Sequence, residues 1–185
     1  VIKRNMKKIA PELFDDMYRA VVSDRFPWYY LDGSTSERHP VMVHGVKSRE
    51  RETPDSPTYP NVDAMLTAFC QAINVKRGSI LRAAFNMTIG AYDNLPTLPH
   101  VDHFEDHGVM LVYFTEEGGD TVIFEEEHDE ARPTREQAEL TEKFRVIPMV
   151  GRCIMFDGKH YHCNEFPDES GKRRIVLVVS FEVGA

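Results

Sequence analysis

From Pro11 to Val22 the apolar positions Leu13, Phe14, Met17, Tyr18, Val21 and Val22 fall three and four apart, and Pro11 suits a first helical turn. The spacing predicts a helix. A second is predicted where Asn61 precedes the run Val62 to Ile73, whose apolar residues recur at the same interval, with Asn61 as its cap and Gly78 closing the segment. Between them lie an aromatic cluster, Phe26-Pro-Trp-Tyr-Tyr30, read as a helix-to-core anchor, and a polar stretch. That stretch, Ser48 to Asn61, holds Pro54, Pro57 and Pro60 too closely spaced for a regular element and is expected to be a loop. From Ser79 onward β-branched and aromatic residues come in short runs broken by Gly, Pro, Asp and Glu. Strands are predicted over 79–92, 100–103, 109–114, 120–125, 144–148, 152–156 and 174–183. Only 134–143 offers a helix in this half.

Many short strands with turn signals between them favour a sandwich or jelly roll over alternating βα units. The expected class is mainly β with N-terminal helices, α+β. At 185 residues and 42% apolar composition a single domain is expected, with 1–78 as a helical support region and 79–185 as the β core. No apolar run approaches the roughly 20 residues that span a bilayer, and the basic start Val1 to Lys8 has no apolar stretch behind it. A cytoplasmic protein without a membrane partner is the expectation. Three widely spaced cysteines, Cys70, Cys153 and Cys163, form neither a disulfide framework nor a zinc knuckle. The net charge of −8 argues against non-specific nucleic-acid binding, and the acidic run 125–130 reads as a solvated loop.

The chemistry concentrates in two strings. In Pro99-His-Val-Asp-His-Phe104, residues 100 and 102 leave the same face of an extended strand about 6 to 7 Å apart at Cα, so an imidazole and a carboxylate can converge on one ion. His103 would then point to the opposite face. Phe156-Asp-Gly-Lys-His-Tyr-His-Cys-Asn164 supplies a third ligand, His160 or His162. Two histidines and one carboxylate leave open positions on an octahedral ion, the donor set of non-haem Fe(II) oxygenases. Arg173 and Arg174 then open the apolar strand Ile175 to Phe181. A guanidinium entering such a strand is costly unless it meets an anion, and its planar fork suits a carboxylate.

The order of these strings, with Gly118-Gly-Asp-Thr121 leading a strand and Pro148-Met-Val-Gly-Arg-Cys-Ile-Met-Phe156 before the distal histidine, resembles the Fe(II)/2-oxoglutarate oxygenases. The Pro-His-Val-Asp-His-Phe string is similar to the prolyl 4-hydroxylase-type core, and the small size to compact phage and bacterial members. The likeness covers roughly Tyr92 to Phe181. It implies a double-stranded β-helix, Fe(II) as cofactor, and 2-oxoglutarate and O2 as cosubstrates released as succinate and CO2. By position it implies His100, Asp102 and His162 as iron ligands, and Arg174, with Arg173 as alternative, as the cosubstrate anchor. Tyr92 and Tyr113 are implied as further cosubstrate contacts, although Tyr113 also fits ordinary core beside Val109 and Leu111. The family's Arg-x-Ser is absent, since Val176 follows Arg174 by two, so a second carboxylate contact is unassigned.

The implied reaction is hydroxylation of an unknown substrate, with a peptide residue such as proline, an amino acid or a small metabolite favoured. A metal-binding β-helix without turnover is the non-enzymatic alternative, which has no need of Arg174. A zinc hydrolase of the HxHxDH kind is the lesser one, because Leu98 stands where its first histidine belongs.

Overall fold

The computed structural model describes residues 7–8, 11–33, 40–90, 96–129, 132–167 and 171–184. Their strands are β1 (Lys7–Lys8), β2 (Tyr29–Leu31), β3 (Val41–Lys47), β4 (Arg77–Ile89), β5 (Gly108–Tyr113), β6 (Thr121–Glu127), β7 (Glu142–Val146), β8 (Arg152–Asp157), β9 (His160–Asn164) and β10 (Arg173–Val183); the helices are α1 (Pro11–Val21) and α2 (Tyr59–Ala72). Two antiparallel sheets form, a larger one ordered β1-β8-β5-β10-β4-β3-β2 and a smaller one ordered β7-β6-β9.

Alternation along the strands decides what each face meets. On β10, Ile175, Leu177, Val179 and Phe181 join the helices, while Val176 and Val178 turn toward the second sheet. β5 does the same with Met110 and Val112 against Val109, Leu111 and Tyr113, and is buried throughout. Phe14 and Met17 of α1 and Val62, Met65, Leu66 and Phe69 of α2 complete the outer core, where Phe14 stacks on Phe114 at 5.2 Å. Phe26 anchors the aromatic cluster edge-on to Phe85, whereas Tyr29 and Tyr30 are exposed on the edge strand β2.

Several expectations change. Residues 100–103 form no strand; His100 alone makes isolated bridges, to His162 and Thr134. The expected helix at 134–143 is a 3-10 turn, Gln137–Glu139, followed by β7, because the backbone around Thr141 pairs with Glu125 and with the Glu126 carboxylate instead of with itself. Asn61 is not a cap: α2 begins two residues earlier, after Thr58, with Pro60 in its first turn. β2, β3 and β9 lie where no strand was predicted. No helix among the described residues is long and apolar enough to cross a membrane.

Candidate metal centre

His100 and His162 sit directly opposite each other. Each backbone N–H donates to the other's carbonyl, His100 to His162 at 3.0 Å and His162 to His100 at 2.9 Å. This reciprocal pair brings the two imidazoles together on one side, with ring centroids 4.6 Å apart and planes tilted by 48°. The side-chain ligand atoms of His100, Asp102 and His162 all lie within 4.8 Å of one another. His160, two residues earlier on β9, is buried but outside this group. His103 packs instead against His107, ring centroids 5.0 Å apart.

The donor set fits a divalent ion. His100 Nδ1 lies 3.0 Å from the Leu98 carbonyl and His162 Nδ1 3.2 Å from the His160 carbonyl. A carbonyl only accepts, so both rings carry their proton on Nδ1 and leave Nε2 free, the arrangement that orients metal-bound histidines. His162 Nε2 stands 3.7 Å from Asp102 Oδ2, too far for a hydrogen bond, and that buried oxygen has no hydrogen-bond partner. An unpartnered buried carboxylate oxygen is costly unless something completes it. Burial alone would raise the Asp102 pKa, but His162 and Arg82 beside it outweigh burial and keep the carboxyl well below the usual range. Desolvation, reinforced by His100, pushes His162 down to about 4. At neutral pH the group therefore offers one carboxylate and a neutral His162, the forms that bind metals.

A cavity of about 460 Å³ opens beside the triad, and Arg174 reaches it from β10. Arg174 is 5% exposed. Its Nε donates to the Gly119 carbonyl at 2.6 Å, its Nη2 to Thr121 Oγ1 at 2.6 Å, and its guanidinium lies over the Tyr113 ring. Among the described residues no carboxylate pairs with it, and desolvation lowers its pKa. Tyr113 is fully buried in the inner core, its hydroxyl 2.7 Å from Thr121 Oγ1, so it supports Arg174 from below. Arg173, by contrast, is exposed and donates to the Val22 carbonyl. Tyr92 lies outside the described residues.

Several polar cavity residues received no site role from the sequence, among them Arg49, Arg82, Asn86 and Thr88. The last three share one face of β4, opposite Ala83, Phe85 and Met87 of the outer core. A polar face alternating with an apolar one along 82–88 was the available signal.

No protein-family model and no curated protein sequence matches the chain. Solved structures do. A Burkholderia pseudomallei oxidoreductase of the 2OG-Fe(II) oxygenase family aligns over 91% of this chain and 76% of its own at 17% identity and a TM-score of 0.58. A Pseudomonas putida prolyl-4-hydroxylase aligns over 99% and 92% at 13% identity and a TM-score of 0.59. The epimerase SnoN, solved in complex with Fe3+, alpha ketoglutarate and nogalamycin RO, aligns over 90% and 72% at 11% identity and a TM-score of 0.54. The chain shares the jelly-roll fold of these structures.

Proposed function

We propose that the chain is an Fe(II)- and 2-oxoglutarate-dependent oxygenase, in which His100, Asp102 and His162 hold the metal and Arg174 anchors the far carboxylate of the cosubstrate. One observation carries the reading: a convergent His-Asp-His group with an unpartnered Asp102 Oδ2 shares a cavity with a buried arginine that has no anionic partner among the described residues. Either feature alone has ordinary explanations; their juxtaposition suits a ligand that bridges a cation and a guanidinium. When bound, the iron would supply the redox chemistry that couples loss of CO2 from 2-oxoglutarate, with O2, to oxidation of a substrate C–H bond. We take hydroxylation as the outcome, on a peptide residue or a small molecule.

The chain's own part is positioning. The Leu98 and His160 carbonyls aim the two Nε2 atoms, and Gly119, Thr121 and Tyr113 fix the Arg174 fork. Thr88 faces Arg174 across the β4–β10 register and carries a hydroxyl without a hydrogen-bond partner. It is the candidate for the second carboxylate contact that Val176 does not provide.

The test is an anaerobic titration of 2-oxoglutarate into the Fe(II)-loaded protein, followed by visible absorption and, after admitting oxygen, by succinate release. A charge-transfer band and succinate are expected. His162→Ala should abolish the band, and Arg174→Ala should weaken 2-oxoglutarate binding roughly thirtyfold or more, as loss of one partner of a buried charge pair does. Unchanged binding in both variants would refute the assignment. Normal binding in the parent protein without any succinate would favour a sensor over an enzyme.

A further inference from the structure

Two cations on the cavity wall take no part in holding metal or cosubstrate. Arg82 projects from β4 with Nη1 3.8 Å from Asp102 Oδ1, and Arg49, in the segment joining β3 to α2, donates through Nη2 to the Asp102 backbone carbonyl. Both line the cavity, Arg82 half-buried and Arg49 at the exposed mouth. Both side chains thus converge on Asp102, and desolvation, then the charge of Arg82, lower the Arg49 pKa. Glu50 and Glu105 act on Arg49 more weakly and are themselves exposed.

Asp102 is the one acidic side chain on this wall among the described residues. Its carboxylate cannot serve both arginines once it ligates a cation. A divalent metal, one aspartate, a dicarboxylate and Arg174 cancel formally, which leaves Arg49 and Arg82 with no further counter-charge on the cavity wall among the described residues. Like charges converging on a partly desolvated wall are unfavourable unless an anion is bound between them, and such a wall draws anions in. Two guanidinium forks match an oxyanion.

Resting on the metal and cosubstrate reading above, we propose that the substrate is a small molecule carrying a carboxylate or phosphate, held by Arg49 and Arg82, with the carbon to be oxidised lying between that group and the metal. Arg82 belongs to the rigid β4 and sets the position. Arg49 belongs to the proline-rich segment and adds its contact at the mouth.

The experiment loads the protein with Mn(II) and 2-oxoglutarate and measures paramagnetic relaxation of inorganic phosphate (31P) and of acetate (methyl 1H), with acetamide as the neutral control. Enhanced relaxation is expected for phosphate, acetate or both, but not for acetamide, and the anion that responds distinguishes the two chemistries. In Arg49→Gln and Arg82→Gln the enhancement should fall at least tenfold, with Mn(II) occupancy followed by electron paramagnetic resonance. Enhancement that survives in both variants places the anion on the metal and overturns the proposal. So does an absence of enhancement in the parent protein. Loss of Mn(II) from both variants would make the arginines positioning residues for Asp102 alone, and would overturn it equally. Calorimetry of 2-oxoglutarate separates the two readings: normal 2-oxoglutarate binding without arginine-dependent anion contact rejects this inference only, while failed 2-oxoglutarate binding rejects the functional reading beneath it.

Discussion

A guanidinium as enclosed as that of Arg174, which donates to a carbonyl and a hydroxyl and pairs with no carboxylate among the described residues, keeps its charge at a cost that an incoming carboxylate relieves. The acceptors therefore matter as much as the arginine. Gly119 supplies its carbonyl from a left-handed backbone, φ +89°, and an added Cβ would lie 2.3 Å from the Glu165 carbonyl oxygen and 3.0 Å from Arg174 Cδ. No side chain fits there without moving the backbone that holds the arginine. We predict that Gly119→Ala destabilises the protein by about 2 kcal/mol or more, from positive φ and collision together, measurable as a lowered urea midpoint. Thr121→Val keeps the shape but removes the acceptor. Its loss should cost about 1–3 kcal/mol and appear as roughly tenfold weaker 2-oxoglutarate binding with little change in metal affinity; unaltered binding would show that Thr121 does not set the fork.

The elements around the site differ in how far local sequence determines them. β4, β5, β8 and β10 carry an apolar period of two, or continuous apolar runs, and were legible for that reason. β9, His160-Tyr-His-Cys-Asn164, has no β-branched residue; it is a strand because β6 pairs with it, which no local pattern records. The string from His100 to Asp102 was legible as chemistry but not as structure. Its geometry comes from the reciprocal bond to His162, not from a strand of its own. Arg49 was illegible for a related reason, since its proline-rich segment is set by tertiary ties. His44 on β3 is one of them: its Nδ1 lies 2.9 Å from the Pro27 carbonyl and its Nε2 2.8 Å from Ser56 Oγ. With Nδ1 as donor to that carbonyl, Nε2 must accept from Ser56. Ser56→Ala would leave a buried acceptor unmatched, which costs about 1–3 kcal/mol, and should raise proteolytic cleavage within 48–58 while leaving the sheets intact. Unchanged cleavage would mean that His44 does not tether the segment.

At the scale of the whole molecule, burying these groups close together makes the metal-free protein sensitive to acid. Desolvation, aided by His100, holds His162 at about 4, and desolvation with Arg49 does the same to His103. Asp102 is held below its ordinary range, its neighbours outweighing its burial. Unfolding returns imidazoles to about 6.5 and the carboxyl to about 3.9. Between those limits the unfolded chain therefore binds more protons than the native one, and stability falls as pH falls. Below about 4 the histidines charge in both states and their contribution levels off. Asp102 then acts with the same sign, because the unfolded carboxyl protonates first. We predict that unfolding free energy of the metal-free protein, from urea titrations, is nearly constant above pH 7 and declines by roughly 5 kcal/mol between pH 6.5 and 4, about half from each histidine. His162→Gln should flatten part of that decline, since glutamine has no proton to gain. A variant with the parent's slope would show that the acid sensitivity arises elsewhere, and that His162 is not held neutral by the environment that prepares it for a metal.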